Sequence, residues 1–164
     1  MAPFSIRKAT ILDYDAIWHI IQSVISSGET YVFSPYSGKE KMLDYWCAKD
    51  AHIYVAIDQR DTVAGTYVIR DNRPDLGSHV ANGSYMVAPA FEGKGIGRLM
   101  GEHSIIEAKK MGYKAMQFNY VISTNERAVK LWQSLGFKIV GEVPEAFNHH
   151  MHGYVSIYIM HRML

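Results

Sequence analysis

The stretch FEGKGIGRLM, Phe91 to Met100, decides the fold. Three glycines in five residues, Gly93, Gly95 and Gly97, alternate with Lys94 and Ile96 just ahead of a long amphipathic run. Glycine costs backbone entropy on folding, so a cluster of it belongs where a bulkier residue would fail. The preceding run, HVANGSYMVA (His79 to Ala88), reads as a strand halted at Pro89. The following one predicts a helix from about Gly95 to Met111, closed by Gly112. A helix start presents unpaired N–H groups and a partial positive charge, for which a phosphate is the natural guest. The bland alternative is a turn that needs small residues only for packing, because an isolated glycine motif is weak.

Two phosphate loops are excluded. A Walker A loop needs Gly-Lys-Ser/Thr, and Lys94 is followed by Gly95. A dinucleotide fingerprint would need a third glycine at Arg98 or Met100, and no acidic residue lies on the next strand, Tyr113 to Ile122, to hold a ribose.

On either side of the loop the pattern alternates between strand and helix. Phe4 to Ala9 predicts a strand. Ile17, Ile20, Ile21, Val24 and Ile25 follow the spacing of an amphipathic helix that ends before Gly28. An aromatic loop, Gly28 to Gly38, and a shorter helix around Lys39 to Lys49 come next. HIYVAI and TVAGTYVIR form a hairpin around Asp58 to Asp61. Beyond the motif helix, YKAMQFNYVI predicts a strand, Asn125 to Leu135 a helix, and FKIVGEV and YVSIYIMHRM the last two strands. The expected fold is α/β: a mixed sheet of about seven strands with flanking helices and a parallel crossing through the glycine loop.

Bulk properties narrow the function. At 164 residues, with 48% hydrophobic and 20% charged residues, residues 1–164 are expected to form a single domain with its own core. The net charge of +1 gives no field favouring nucleic acid or an acidic membrane. The lone Cys47 forms no internal disulfide and fits a reducing compartment, and no window reaches membrane-spanning length, so the expectation is a cytoplasmic protein.

With these residues in view, VAPAFEGKGIGRLM resembles motif A of the GCN5-related N-acetyltransferases (GNAT), a loop of the form Arg/Gln-x-x-Gly-x-Gly/Ala that binds the pyrophosphate of coenzyme A. The pattern falls on Glu92, Gly95 and Gly97, and Glu92 departs from the usual Arg or Gln. Lys94 and Arg98 are expected to offset its charge. STNERAVKLWQSLGFKIVGEV is similar to the family's second signature, Asn-x-x-Ala, an aromatic residue, then Gly-Phe. The likeness covers nearly the whole chain, including IRKATILDYDAI near its start.

The resemblance implies a sheet splayed between its fourth and fifth strands, with acetyl-CoA as co-substrate lying in the gap. Tyr85, Met86 and Val87 would offer main-chain groups to its pantetheine arm, the N–H of Val87 donating to the thioester oxygen as charge develops. Gly93, Lys94, Gly95, Ile96, Gly97 and Arg98 would surround the pyrophosphate. Asn125 would contact the cofactor and also cap the following helix. The family's frequent tyrosine acid is replaced by Trp132, whose indole N–H is no usable acid, so Trp132 is expected to be a packing or cofactor-wall residue.

GETYVFSPYSGKEKMLDYW resembles the acceptor-pocket roof of phosphinothricin-type acetyltransferases. Asn82 and Asn119 look like the paired asparagines of fungal enzymes acting on proline analogues such as azetidine-2-carboxylate. The acceptor implied is a small amino-acid-like amine, touched by Tyr31, Phe33, Asn82, Asn119 and Tyr120. The alternative for the asparagines is that they satisfy strand-edge backbone. Rival functions are acetylation of a protein or peptide and a non-catalytic acyl-CoA sensor. A homodimer is compatible with the sequence without being required by it. No metal is expected: HHMH, His149 to His152, reads as a solvated turn. Cys47 reads as structural, and His103 as packed or exposed.

Overall fold

Why the chain forms one mixed sheet is visible in its buried faces. The computed structural model describes residues 3–164, so Met1 and Ala2 lie outside the described residues. The elements are β1 (Phe4–Lys8), α1 (Tyr14–Ile25), α2 (Lys39–Trp46), β2 (His52–Asp58), β3 (Val63–Asp71), β4 (Val80–Val87), α3 (Ile96–Lys110), β5 (Ala115–Ile122), α4 (Glu126–Ser134), β6 (Lys138–His149) and β7 (Gly153–Met163). The strand order is β1-β2-β3-β4-β5-β7-β6, and among the described residues only the β4–β5 pairing is parallel. The expected element order and mixed sheet are thus observed. Boundaries move by a few residues: α2 ends at Trp46, where its Cys47 cap has left helical geometry.

Each face of the sheet carries its own core. On one face the isoleucine stripe of α1 (Ile17, Ile20, Ile21, Ile25) packs with Met42 and Trp46 of α2 against Val55, Val68 and Met86. The Trp46 indole donates to Thr66 Oγ1, and that hydroxyl donates to the carbonyl of Tyr54, so no buried polar group there lacks a partner. Arg70 closes the end of α2 by donating to the carbonyl of Tyr45 at 2.9 Å. On the other face, Ile96, Met100, Ile105 and Ala108 of α3 and Val129 and Trp132 of α4 cover Tyr67, Ala81, Met116 and Phe118.

Alternation along β4 follows from these two cores. Even-numbered Met86 faces α1, and odd-numbered Ala81 and Tyr85 face α3 and α4. Gly83 is small for a local reason: a Cβ there would sit 2.7 Å from the Tyr85 hydroxyl, which folds back over it.

Candidate active site

The sheet opens at its centre. β4 and β5 pair only through Val80–Ala115, Ala81–Met116 and Asn82–Gln117, although both strands run five residues further. The expected splay between the fourth and fifth strands is therefore present. Ala88 N–H binds the carbonyl of Ala64 and Asn72 N–H that of Val80, which sets the hydrogen-bonding parity of the β3–β4 ladder. Alternation then turns the peptide groups of Met86 toward Thr66, and those of Tyr85 and Val87 toward the gap. The expectation for Met86 is corrected accordingly: its peptide groups belong to β3 and its side chain to the α1 core.

The glycine loop lies beyond the end of β4. Gly93 and Gly95 have φ of 74° and 81°, and Gly95 is the N-cap of α3. A left-handed N-cap strains any residue with a Cβ, which accounts for the glycine. Nothing lies within 4 Å of the position a Gly95 Cβ would take, and only Arg127 approaches that of Gly93. Space for a guest is thus left directly over the helix start. Ile96 is buried in the core, so only its backbone remains available to such a guest. A Cβ on Gly97 would meet Leu131 of α4 at 3.4 Å, so this glycine serves helix packing as well.

Charges around the loop are arranged differently from expectation. Lys94 Nζ lies 4.8 Å from the centre of the Phe91 ring. Arg98 turns along α3, donating to Ser134 Oγ at 2.7 Å and approaching Glu102 at 3.4 Å. The cation beside Glu92 is Arg127, at 3.8 Å. Both partners are exposed, so the attraction is weak, but it keeps a guanidinium beside the loop. Sequence reasoning missed Arg127, whose only signal was its position two residues into the second signature.

On α4, Asn125 Oδ1 accepts from the N–H of Ala128 at 3.2 Å, the N-cap role expected of it. Trp132 is 8% exposed, with its ring 4.7 Å from those of both Tyr85 and Phe118. Gly101 lets the two helices approach; a Cβ there would fall 2.6 Å from Leu135 and 3.1 Å from Trp132.

Across the gap, the loop before α2 brings Tyr31 and Phe33 against the other face. Phe33 stacks edge-on to Tyr45 at 4.8 Å. The Tyr31 hydroxyl donates to the carbonyl of Tyr85 at 2.8 Å and accepts from its N–H at 3.0 Å. Burial holds this phenol far above its ordinary pKa, so it stays protonated. The amides form a chain: Asn82 Nδ2 donates to the carbonyl of Gln117 at 3.0 Å, Gln117 Nε2 to Asn119 Oδ1 at 2.9 Å, and Asn119 Nδ2 to Asn72 Oδ1 at 2.7 Å. Among the described residues each of these NH₂ groups, on Asn82 and on Asn119, donates one hydrogen bond and keeps its second N–H uncommitted. The register of β5 against β7 shifts between Phe118 and Val121, an irregularity that brings Asn119 and Tyr120 to the same cavity. Tyr120 donates its hydroxyl to the carbonyl of Ala146.

One cavity of about 230 Å³ connects the two faces through the splay. Tyr31, Phe33, Asn82, Tyr85, Asn119, Tyr120, Asn125 and Trp132 all line it. Ser84 and Tyr45 line it too, without having been singled out from sequence.

The remaining candidates lie elsewhere. His149 is a correction: it ends β6, is 6% exposed, and its Nδ1 accepts from the N–H groups of Met151 and His152. It is a buried turn cap, not a solvated residue, and among the described residues no group suited to a metal ion occurs. Burial raises the Cys47 thiol pKa, which leaves little thiolate for nucleophilic work. His103 is bound to the Tyr67 hydroxyl at 2.6 Å, away from the cavity, and burial lowers its pKa. No helix among the described residues is long and apolar enough to cross a membrane.

The chain is similar to known acetyltransferases. The description "Acetyltransferase (GNAT) family" matches residues 18–137. An N-acetyltransferase, aca1, of Schizosaccharomyces pombe is 35% identical over 105 residues, covering 63% of this chain and 50% of that protein. A mycothiol acetyltransferase of Propionibacterium freudenreichii is 33% identical over 94 residues, covering 55% and 28%. The chain thus spans half or less of the length of these curated relatives. Among solved structures, a GCN5-related N-acetyltransferase from Kribbella flavida superposes with a TM-score of 0.95 at 42% identity, over 99% of this chain and 98% of that one. A phosphinothricin acetyltransferase from Sinorhizobium meliloti, in complex with acetyl-CoA, shares the fold at a TM-score of 0.87 and 19% identity, over 99% and 89%. With the glycine loop, the capped α4 and the splayed strands all in place, this chain belongs to the acetyltransferase (GNAT) family.

Proposed function

We propose that the chain transfers an acetyl group from acetyl-CoA to the amine of a small amino-acid-like acceptor by direct attack. The observation that carries this reading is the cavity through the splay, with the peptide groups of the β4 edge turned toward it on one side and uncommitted amide N–H groups on the other. Coenzyme A fits the residues present. The open space above Gly93 and Gly95 at the start of α3 suits a pyrophosphate, and the edge of β4 that β5 leaves uncovered beyond Asn82 suits an amide-bearing arm.

Acetyl-CoA supplies an acyl carbon activated by a thioester. The N–H of Val87, directed into the gap, donates to the carbonyl oxygen as it gains charge. Asn125 stiffens the start of α4 beside the cofactor, and Trp132 walls the cavity and excludes water. Asn82 and Asn119 each offer one N–H to the acceptor's carboxylate, so that its amine faces the acyl carbon. No side-chain acid is required for the leaving thiolate, since a thiol pKa of about 8.5 makes it a tolerable leaving group.

A small acceptor is favoured over a peptide because Tyr31, Phe33 and Tyr45 close one side of a 230 Å³ cavity. The free thiol of Cys47 fits a reducing, cytoplasmic setting.

A panel pairing each amino acid with its decarboxylated amine tests the assignment. Asn82→Ala and Asn119→Ala should lower kcat/KM for amino acids by about 10- to 100-fold, in line with losing hydrogen bonds to a charged group. They should change the matching amines little and leave acetyl-CoA affinity nearly intact. Equal losses on both members of a pair would assign the amide chain to strand support. A preference for peptides over every free amino acid would overturn the small-acceptor reading.

A further inference from the structure

Tyr31 and Tyr85 are 54 residues apart, yet one phenolic oxygen holds both peptide groups of Tyr85 that face the splay. They are among the groups that β5 leaves uncovered when it diverges after Gln117. The Tyr31 hydroxyl therefore stands where a residue of a neighbouring strand would be. Its ring leans on Trp46, 6.4 Å away, and its loop, between Ile25 and Lys39, contains no regular element that would lock it there.

We propose that Tyr31 is a displaceable latch on the cofactor edge. Resting on the acyl-CoA reading given above, the inference is that the pantetheine arm and Tyr31 compete for Tyr85. A carbonyl has two lone pairs and can serve two donors, but the single N–H of Tyr85 cannot serve two acceptors well. Binding of acyl-CoA therefore releases the Tyr31 hydroxyl into the acceptor cavity. The aromatic wall on that side reaches its working shape only once the cofactor is seated. The apparent cofactor affinity is then reduced by the fraction of molecules with the latch closed.

Calorimetry with CoA alone, without acceptor, tests this. Tyr31→Phe keeps the ring and removes the latch, so it should bind CoA at least threefold tighter than the native chain. Equal or weaker binding by the variant overturns the proposal. A second measurement is independent of any folding defect in that variant: 3-fluorotyrosine is placed at position 31 alone in the otherwise unaltered protein. Saturating CoA should move its fluorine resonance, and a resonance that stays put overturns the latch while leaving the cofactor reading intact. A native chain that binds no CoA in the same calorimeter sinks both, so the two failures are told apart.

Discussion

In the function proposed above, the two sides of the splay would recognise their guests by different means. On the α3–α4 side the proposed surface is backbone: left-handed Gly93 and Gly95, the first turn of α3 and the edge of β4 that β5 leaves uncovered. On the loop side it is side chains: the Tyr31 hydroxyl and an amide chain running Asn82, Gln117, Asn119, Asn72. Backbone recognition needs only local geometry, which a few adjacent residues can dictate. Side-chain recognition needs partners drawn from distant parts of the chain. The first kind suits a guest common to a family, the second an acceptor that differs from one member to the next.

Substituting Gly95 should give the largest effect. Its φ of 81° is strained for any other residue by about 1–3 kcal/mol, most of all for a β-branched one. Gly95→Val should weaken CoA binding by more than tenfold, or about 1.4 kcal/mol, in calorimetry. Lys94→Ala should cost less, because an exposed charge is screened. If Lys94 proved dominant, the contrast between a backbone side and a side-chain side would fail.

Gly101→Ala probes the packing behind Trp132. Its Cβ would collide with Leu135 and Trp132, so stability in urea should fall by about 1–3 kcal/mol. An unchanged midpoint would mean that α3 and α4 part without loss.

Asp13 lies outside both recognition surfaces and provides a control. Arg7 grips its carboxylate at 2.8 and 2.9 Å and, as the largest cause, holds its pKa below the ordinary value. A lowered folded pKa stabilises above the unfolded pKa of about 3.9, and that contribution is lost as pH falls through the folded value. Asp13→Asn should thus cost about 1 kcal/mol near neutral pH, discounted for the partly exposed Arg7, and the difference should shrink in acid. Denaturant titrations at several pH values check this; a gap that widens in acid would reverse the assignment.

Arg127→Ala should have the smallest effect. Because the guanidinium is exposed beside Glu92, CoA affinity should fall less than threefold at low salt and hardly at all at high salt. A large, salt-insensitive loss would move this side of the splay toward side-chain recognition.

Most of the fold was legible because its signals are local and periodic. The α1 stripe at Ile17, Ile20, Ile21 and Ile25 is buried as its spacing requires, and Gly95 sits at the α3 start as its motif implies. Errors fell where long-range contacts overrule local pattern. His149 looked like part of a polar turn, but β6 extends through Phe147 and carries its ring inside. Lys94 and Arg98 are the nearest cations to Glu92 in sequence, yet Arg127 is the one that faces it in space. Asn119 and Tyr120 should face opposite sides of a regular strand, and the irregularity in β5 brings both to one cavity.

The sequence by itself determined the order of elements, the glycine loop, the N-cap at Asn125 and the family they belong to. Each of these rests on steric preferences and periodicities that act within a few residues. Only the tertiary structure decided that Tyr31 holds the peptide groups of Tyr85, that Asn82 and Asn119 each have one N–H to spare, and that Met86 turns its backbone toward β3. Those outcomes depend on which atoms remain unpaired after the strands have found their registers. Pairing of that kind is a property of the assembled sheet, not of any short segment within it.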